Sequence, residues 1–148
     1  MKPFACITGA SSGIGLELAK LCAKNGYNLL LVARNVKALT IIAADLKKQY
    51  GISVICSYLD LSKPETPYQL AKLIGERSLE IEILINNAGF GSSGDFLESD
   101  IKIQEEMIQL NIVALTLLTR LIGAEMLKKR QGKILNLASV AAYFPGPN

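Results

Sequence analysis

Five short apolar runs alternate with segments of helical periodicity, and this alternation limits the possible folds of the chain more than any other feature. The runs are bounded by turn residues and read as buried strands at residues 4–8, 28–33, 53–58, 83–86 and 133–138. Strands that alternate with helices form crossover units, which build a mostly parallel sheet covered on both faces. The sequence therefore predicts an α/β, doubly wound fold with strand order 3-2-1-4-5.

The segments between the runs contain helix start and stop signals. The first helix is predicted to begin after Ser11 or Ser12, either of which can cap it, and to end at Asn25. A second apolar stripe is closed by Gly51, a residue that suits a helix C-terminus. A long pattern over residues 100–129 predicts one helix or two in series.

Size and charge restrict the classes of function. The chain has 148 residues and 50% hydrophobic content, which suit a single domain over residues 1–148. Its 16 basic and 13 acidic residues are scattered, and only Lys128, Lys129 and Arg130 form a short basic cluster. Because this charge is diffuse, nucleic acid is not predicted as a partner.

Targeting and metal signals are also missing from the sequence. The first seven residues contain no apolar core of signal-peptide length, and the apolar stretch 110–127 is interrupted by Asn111, Arg120 and Glu125. No membrane span is predicted, and the protein is expected to be cytoplasmic. The absence of histidine and of metal-ligand spacing between the cysteines predicts no metal site.

A glycine-rich turn follows the first predicted strand directly. Residues 8–15 read Thr-Gly-Ala-Ser-Ser-Gly-Ile-Gly, and a helix is predicted to start at the last glycines. Glycines permit a tight turn and a close approach of the backbone to a ligand, while the N–H groups and dipole of the helix attract a pyrophosphate. Its place at a strand-to-helix junction predicts a dinucleotide site. The predicted site residues are Gly9, Ser11, Ser12, Gly13, Ile14 and Gly15.

The spacing T-G-x-x-x-G-x-G resembles that of the short-chain dehydrogenase/reductase family, and further segments extend the resemblance along the whole chain. Asp60-Leu61 follows the third strand, where the family's acidic residue contacts the adenine of the cofactor. The run 86–89, Asn-Asn-Ala-Gly, matches the family's motif at the end of the fourth strand, and Asn111 and Ser139 match its active-site asparagine and serine. The resemblance implies a Rossmann-like domain that binds cofactor through Asp60, Leu61, Asn86, Ala88 and Gly89.

Each of these positions also has a simpler interpretation. Asp60 can cap the next helix or stabilise a turn, and Asn86 and Asn87 can be satisfied turn residues at a strand end. Asn111 can be an ordinary polar residue on a helix. The order of the positions along the chain favours the family interpretation.

The residue at the end of the second strand indicates which nicotinamide cofactor is used. A cofactor of the NAD type usually meets an acidic residue there, and this chain has Arg34 instead. Arginine forms charge-assisted hydrogen bonds with a 2′-phosphate, so NADP is predicted over NAD. If Arg34 is only a solvated charge at the start of a helix, the preference stays open.

The resemblance implies hydride transfer between NADP(H) and a carbonyl or alcohol substrate. In the family a tyrosine gives the proton, a lysine lowers its pKa, a serine stabilises the substrate oxygen and an asparagine supports a proton relay. Ser139 and Asn111 are the candidates for the last two roles. The family's Tyr-x-x-x-Lys pair lies farther along than the nine residues that follow Ser139. The spacing at Tyr68 and Lys72 is interpreted as a solvated helix face.

The chain is accordingly interpreted as the cofactor-binding N-terminal part of such an enzyme, incomplete at the C-terminal edge of its sheet and inactive alone. The family also implies that the parent protein is a homo-oligomer, a dimer or tetramer. A second interpretation is a non-catalytic module that binds nucleotide, or binds a partner through the exposed fifth strand. A methyltransferase or another doubly wound nucleotide binder fits the glycine turn but not the Asn-Asn-Ala-Gly run with Ser139.

Overall fold

A five-stranded parallel sheet with the order β3-β2-β1-β4-β5 forms the centre of the computed structural model, which describes residues 2–143. The predicted α/β class and strand order are confirmed. The sequence also predicts a loop at residues 145–148, after the fifth strand, and these residues lie outside the described ones. The strands are β1 Phe4–Thr8, β2 Asn28–Val32, β3 Val54–Ser57, β4 Ile81–Asn86 and β5 Lys133–Asn136.

Helices connect the strands and cover both faces of the sheet. The predicted long helix is one continuous rod, in which a π-helical segment at Gln109–Ala114 joins two α-helices. A short 3₁₀ turn at Val140–Ala142 follows β5. The α-helices are α1 Gly13–Lys24, α2 Val36–Tyr50, α3 Thr66–Glu76, α4 Ile101–Ile108 and α5 Leu115–Lys129.

The central strands are apolar on both faces because helices cover both sides. Alternate residues of β1 and β2 point to opposite faces. Ile7 and Leu31 join a core with residues of α1 and α2, whereas Leu30 packs on the other face with Leu118 of α5. This two-sided burial explains why the strands read as continuous apolar runs.

The helix boundaries follow from residues at the turns. Ser12 occupies the N-cap position of α1 in an extended conformation. Gly51 ends α2 with φ +60°, a left-handed conformation that favours glycine, as the sequence predicted. Asn35 caps α2 through its side-chain oxygen, which accepts a hydrogen bond from the N–H of Ala38 at 3.0 Å. Asn35 thus caps its helix through its side chain, whereas Ser12 only marks where α1 begins.

The strand β5 lies at one edge of the described sheet. It pairs with β4 on one side only. The side chains of Ile134 and Leu135 are 40% and 43% exposed, so this edge presents apolar surface, in agreement with the expectation from the sequence.

The rod formed by α4, the π-helical segment and α5 is long and apolar enough to cross a membrane by length and composition alone, and 17% of its most apolar window is buried. One side of the rod nevertheless packs against the sheet through Leu118, Ile122 and Met126. The prediction that no segment spans a membrane therefore stays a prediction.

Candidate functional site

A cleft of about 470 Å³ opens where the parallel strands end. The connections run in opposite directions on the two sides of β1, and such a switch point is where ligands bind in open α/β sheets. The cleft brings together residues from five loops and turns, one after each strand, and from the π-helical segment. Of the predicted site residues it is lined by Gly9, Ser11, Ser12, Ile14, Arg34, Asp60, Leu61, Ala88 and Gly89.

Two glycines allow the turn after β1 to pack against the end of β4. Gly9 has φ +66°, and a Cβ atom there would lie 2.7 Å from Nδ2 of Asn87. A Cβ atom on Gly15 would collide with Asn87 and with the carbonyl oxygen of Gly9. A Cβ atom on Gly13 would meet nothing within 4 Å, but the φ of this residue is +54°, a left-handed conformation that favours glycine. Gly13 and Gly15 thus allow the backbone conformation and close packing of the turn, but neither residue lines the cleft.

Hydrogen bonds hold the turn to β4. Oγ1 of the buried Thr8 accepts hydrogen bonds from the N–H groups of Asn87 at 3.0 Å and Ala88 at 2.9 Å. It also donates to the carbonyl oxygen of Ile85 at 3.3 Å. In return, Nδ2 of Asn87 donates to the carbonyl oxygens of Thr8 at 2.9 Å and Gly9 at 3.2 Å. At the floor of the cleft, the ends of β1 and β4 are therefore joined by hydrogen bonds.

The turn meets the requirements of a pyrophosphate site. The N-terminus of α1 begins at Gly13, beside Ser11 and Ser12, which line the cleft. Among the described residues, the side chain of Ser12 accepts no capping hydrogen bond. The N–H groups of the first helical turn and the positive end of the helix dipole are therefore available to an anion.

A cationic and an anionic side chain stand at the end of the cleft formed by β2 and β3. Nη1 of Arg34 lies 4.0 Å from Oδ2 of Asp60, and the Arg34 side chain is 67% exposed. A surface pair of this length contributes little to stability. Arg34 is therefore both solvated, as its simpler interpretation held, and positioned at the cleft wall.

Asp60 stabilises a turn, as its simpler interpretation held, and it also lines the cleft. Its Oδ1 atom accepts hydrogen bonds from the N–H group of Ser62 at 3.1 Å and from Oγ of Ser62 at 2.7 Å, which stabilise the turn after β3. Partial burial raises the pKa of its carboxyl group, but these hydrogen bonds and the charges of Arg34 and Lys63 outweigh burial, so the pKa is lowered overall. Asp60 consequently stays ionised while it lines the cleft.

The structure does not bring Asn86 to the cleft. Its side chain is 4% exposed and points between the sheet and α5, where Nδ2 donates to Oγ1 of Thr119 at 3.0 Å and to Oδ1 of Asn136 at 2.9 Å. Successive residues of a strand point to opposite sides, and the next residue, Asn87, lines the cleft instead. Asn86 thus links β4, β5 and α5.

Asn111 lies in the π-helical segment and binds the loop after β4. Its Oδ1 atom accepts from the N–H group of Phe90 at 3.2 Å, and its Nδ2 atom donates to the carbonyl oxygen of Phe90 at 2.8 Å. A Cβ atom on Gly89 would lie 3.0 Å from Oδ1 of Asn111. Asn111 therefore positions the backbone beside Gly89, although it does not itself line the cleft.

Ser139 lies beyond the end of β5, in the N-cap position of the 3₁₀ turn. Its Oγ atom accepts a hydrogen bond from the N–H group of Ala141 at 3.1 Å. The residue is exposed and does not line the cleft, whereas Leu137, two residues earlier, does. The two predicted catalytic residues, Asn111 and Ser139, thus form hydrogen bonds with backbone groups of the loops that follow β4 and β5.

Some contributors to the site were not predicted. Thr8 and Asn87 were part of the recognised motifs, but their bonds to each other join residues 79 positions apart. Asn35 follows Arg34 at the end of β2, a position that could have indicated its place in the cleft wall. Leu110 reaches the cleft from the π-helical segment, and no local sequence signal predicts this.

Comparison with known proteins gives consistent matches. A family model described as short chain dehydrogenase matches residues 3–148. The very-long-chain 3-oxoacyl-CoA reductase of Phaeosphaeria nodorum is 36% identical over 150 residues, which cover 97% of this chain and 43% of the reductase.

Two solved structures share the fold closely. A short-chain dehydrogenase from Sphingobium yanoikuyae in complex with NADPH is 37% identical, with a TM-score of 0.91, over 97% of this chain and 56% of that one. A bulky-bulky ketone specific alcohol dehydrogenase from Comamonas testosteroni is 34% identical, with a TM-score of 0.91, over 97% of this chain and 57% of that one.

The chain spans about half the length of these relatives. The family match extends over all but the first two residues, and it includes the glycine turn, the Asn-Asn-Ala-Gly run and Ser139. The chain belongs to the short-chain dehydrogenase family.

Proposed function

We propose that the protein containing this chain transfers a hydride between NADP(H) and a carbonyl or alcohol substrate, and that residues 1–148 supply its cofactor-binding domain. The observation that carries the proposal is the cleft in which the glycine turn, Arg34 and Asp60 meet. When bound, the nicotinamide supplies the hydride. The residues of this chain bind and orient the cofactor.

The cleft offers a distinct group to each part of the cofactor. The N-terminus of α1 and the glycine turn suit the pyrophosphate. Arg34 suits the 2′-phosphate of NADP, to which a guanidinium group donates charge-assisted hydrogen bonds. Asp60 suits the adenine, and Gly89 stands at the nicotinamide end of the cleft. The NADPH held by the Sphingobium relative supports the choice of NADP.

The preference for NADP is tested by replacing Arg34 with Ala. Loss of its charged hydrogen bonds should weaken NADPH binding by roughly tenfold or more and leave NADH binding nearly unchanged. Replacement of Arg77, an exposed arginine at the C-terminus of α3, is the matched control. Equal NADPH affinity in the wild-type chain and the Arg34→Ala variant would show that Arg34 is a solvated charge only.

Binding without turnover is proposed for the 148 residues by themselves. Ser139 and Asn111 can support a substrate oxygen and a proton relay, but neither side chain is a proton donor matched to a carbonyl reduction. No Tyr-x-x-x-Lys spacing follows Ser139 in this sequence. An assay of carbonyl reduction with the purified chain and NADPH tests this point, because measurable turnover would contradict it.

A second candidate function is a non-catalytic module that binds a partner through β5. The exposed Ile134 and Leu135 on a strand with one open edge favour it. Sedimentation of the isolated chain, compared with a Leu135→Lys variant, separates the two functions. Self-association or partner capture that Leu135→Lys removes, in a chain that does not bind NADPH, would favour the binding module.

Three further proposals concern the whole protein, of which the oligomeric state and the substrates rest on the resemblance to the family, and the location and the absence of nucleic acid rest on the sequence. The whole protein is proposed to be a homo-oligomer, a dimer or tetramer, and to be cytoplasmic. Its partners are proposed to be small carbonyl or alcohol compounds, without nucleic acid. Sedimentation of the whole protein and fractionation of cells that express it test the first two points.

A further inference from the structure

The turn after β3 fixes the position of Asp60 through both its side chain and its backbone. The Oδ1 atom of Asp60 accepts hydrogen bonds from the N–H group of Ser62 at 3.1 Å and from Oγ of Ser62 at 2.7 Å. The carbonyl oxygen of Asp60 accepts hydrogen bonds from the N–H group of Lys63 at 3.0 Å and from Oγ1 of Thr66 at 2.8 Å. Because the residue is held at both ends, the turn also determines where its second carboxylate oxygen, Oδ2, lies.

The Oδ2 atom of Asp60 attracts Arg34 without occupying its hydrogen-bond donors. It lies 4.0 Å from Nη1 of Arg34, which is within ion-pair distance but longer than a hydrogen bond. Both residues line the same cleft. The attraction between the two charges therefore favours a position of the guanidinium group at the cleft wall, while its N–H groups stay available to a ligand.

The carboxylate of Asp60 has two opposite effects on a 2′-phosphate. It repels the phosphate directly, but the charge of Lys63 also acts on this carboxylate, and water and salt screen charges that are not in contact. It also restrains Arg34, whose long side chain loses rotamer freedom when it binds a ligand. A partner that already restrains the side chain lowers this cost of binding. We therefore expect the restraint of Arg34 to outweigh the repulsion.

From these contacts we infer that Asp60 is a positioning residue for Arg34 and thereby contributes to the discrimination between NADPH and NADH. The inference rests on the proposed function, because it assigns the 2′-phosphate to Arg34. It goes beyond the proposed contact of Asp60 with adenine, since NADPH and NADH carry the same base. Through Arg34, Asp60 acts only on the cofactor that carries the phosphate.

The ratio of NADPH affinity to NADH affinity isolates this role. The whole protein that contains these residues is titrated with each cofactor, and a contact of Asp60 with adenine cancels in the ratio. Asp60→Asn keeps an oxygen that can accept the hydrogen bonds of Ser62 but removes the charge, and it is expected to lower the ratio roughly two- to fivefold. The matched control is Glu65→Gln, which removes one negative charge at an exposed position close in sequence and should leave the ratio nearly unchanged.

A double-mutant cycle shows whether the effect passes through Arg34. In the Arg34→Ala background, Asp60→Asn is expected to leave the ratio unchanged, because no guanidinium group is left to position. An unchanged or higher ratio in Asp60→Asn alone would overturn the inference, as would equal effects in the two backgrounds. If Arg34→Ala itself leaves the ratio unchanged, the assignment of the 2′-phosphate fails, and the inference fails with it.

A measurement without cofactor tests the restraint of Arg34 directly. NMR relaxation of the Arg34 Nε–H group is compared in the wild type, in Asp60→Asn and in Glu65→Gln. The group should be more mobile in Asp60→Asn than in the other two proteins, and equal mobility in all of them would overturn the inference. If neither cofactor binds, the proposed function fails, whereas the mobility of Arg34 still decides whether Asp60 restrains it.

Discussion

Replacement of the buried Thr8 tests how the cleft is held together. Valine has nearly the same shape as threonine but no hydroxyl group. In Thr8→Val the N–H groups of Asn87 and Ala88 lose their acceptor, which lies at 3.0 Å and 2.9 Å in the wild type. Each buried donor left without a partner costs about 1–3 kcal/mol, and both sites are partly buried, so we expect a loss of about 2–4 kcal/mol in the free energy of unfolding.

The matched control is Thr8→Ser, which keeps the hydroxyl and loses one methyl group. That change should cost only about 1 kcal/mol. Urea unfolding of the three proteins measures the difference, and amide hydrogen exchange at Asn87 and Ala88 shows whether the loss lies at the predicted donors. If Thr8→Val is as stable as Thr8→Ser, the hydroxyl does not hold the glycine turn against β4.

Three further predictions concern the turn, the core and acid stability. Gly15→Ala should abolish NADPH binding because its Cβ atom collides with the glycine turn; Gly75→Ala in α3, where a Cβ atom meets nothing within 4 Å, should bind normally in the same titration. Burial raises the pKa of Cys6 to about 12, so mass spectrometry of the native chain after treatment with a thiol reagent at pH 8 should show labelling of the half-buried Cys56 but not of Cys6. The pKa of Asp60 is lowered in the folded chain, so its ionised carboxylate stabilises the fold above about pH 4, and this contribution is lost as the pH falls through the folded-state pKa. When the free energy of unfolding is measured at decreasing pH, Asp60→Asn should therefore lose less stability than the wild type.

The strands could be predicted from the sequence because each is covered on both faces and reads as an apolar run. The errors are confined to strand ends. The fourth strand begins at Ile81, two residues before the predicted start. The prediction began too late because the charged Glu82 interrupts the apolar run. In the structure the carboxylate of Glu82 accepts a hydrogen bond from the hydroxyl group of Tyr27 at 3.1 Å. The fifth strand ends at Asn136, before the predicted residue 138, because Leu137 turns into the cleft wall.

The candidate site could be predicted where its residues form contiguous motifs. The glycine turn, Arg34 and Asp60 follow strand ends, and parallel strands bring their carboxyl ends to one edge. The direction of Asn86 depends on the register of β4 beside β5, which the sequence motif alone does not reveal. The contact of Leu110 depends on the π-helical segment, which has no recognised local sequence signal.

The central claim is that this cleft is a nicotinamide cofactor site that prefers NADP(H). Parallel fluorescence titrations of the purified 148-residue chain with NADPH and NADH test it most directly. The structure leads us to expect saturable NADPH binding that is at least about tenfold tighter than NADH binding, since only NADPH carries the phosphate assigned to Arg34. Equal affinities would contradict the assignment of Arg34, and no binding of either cofactor would contradict the assignment of the cleft.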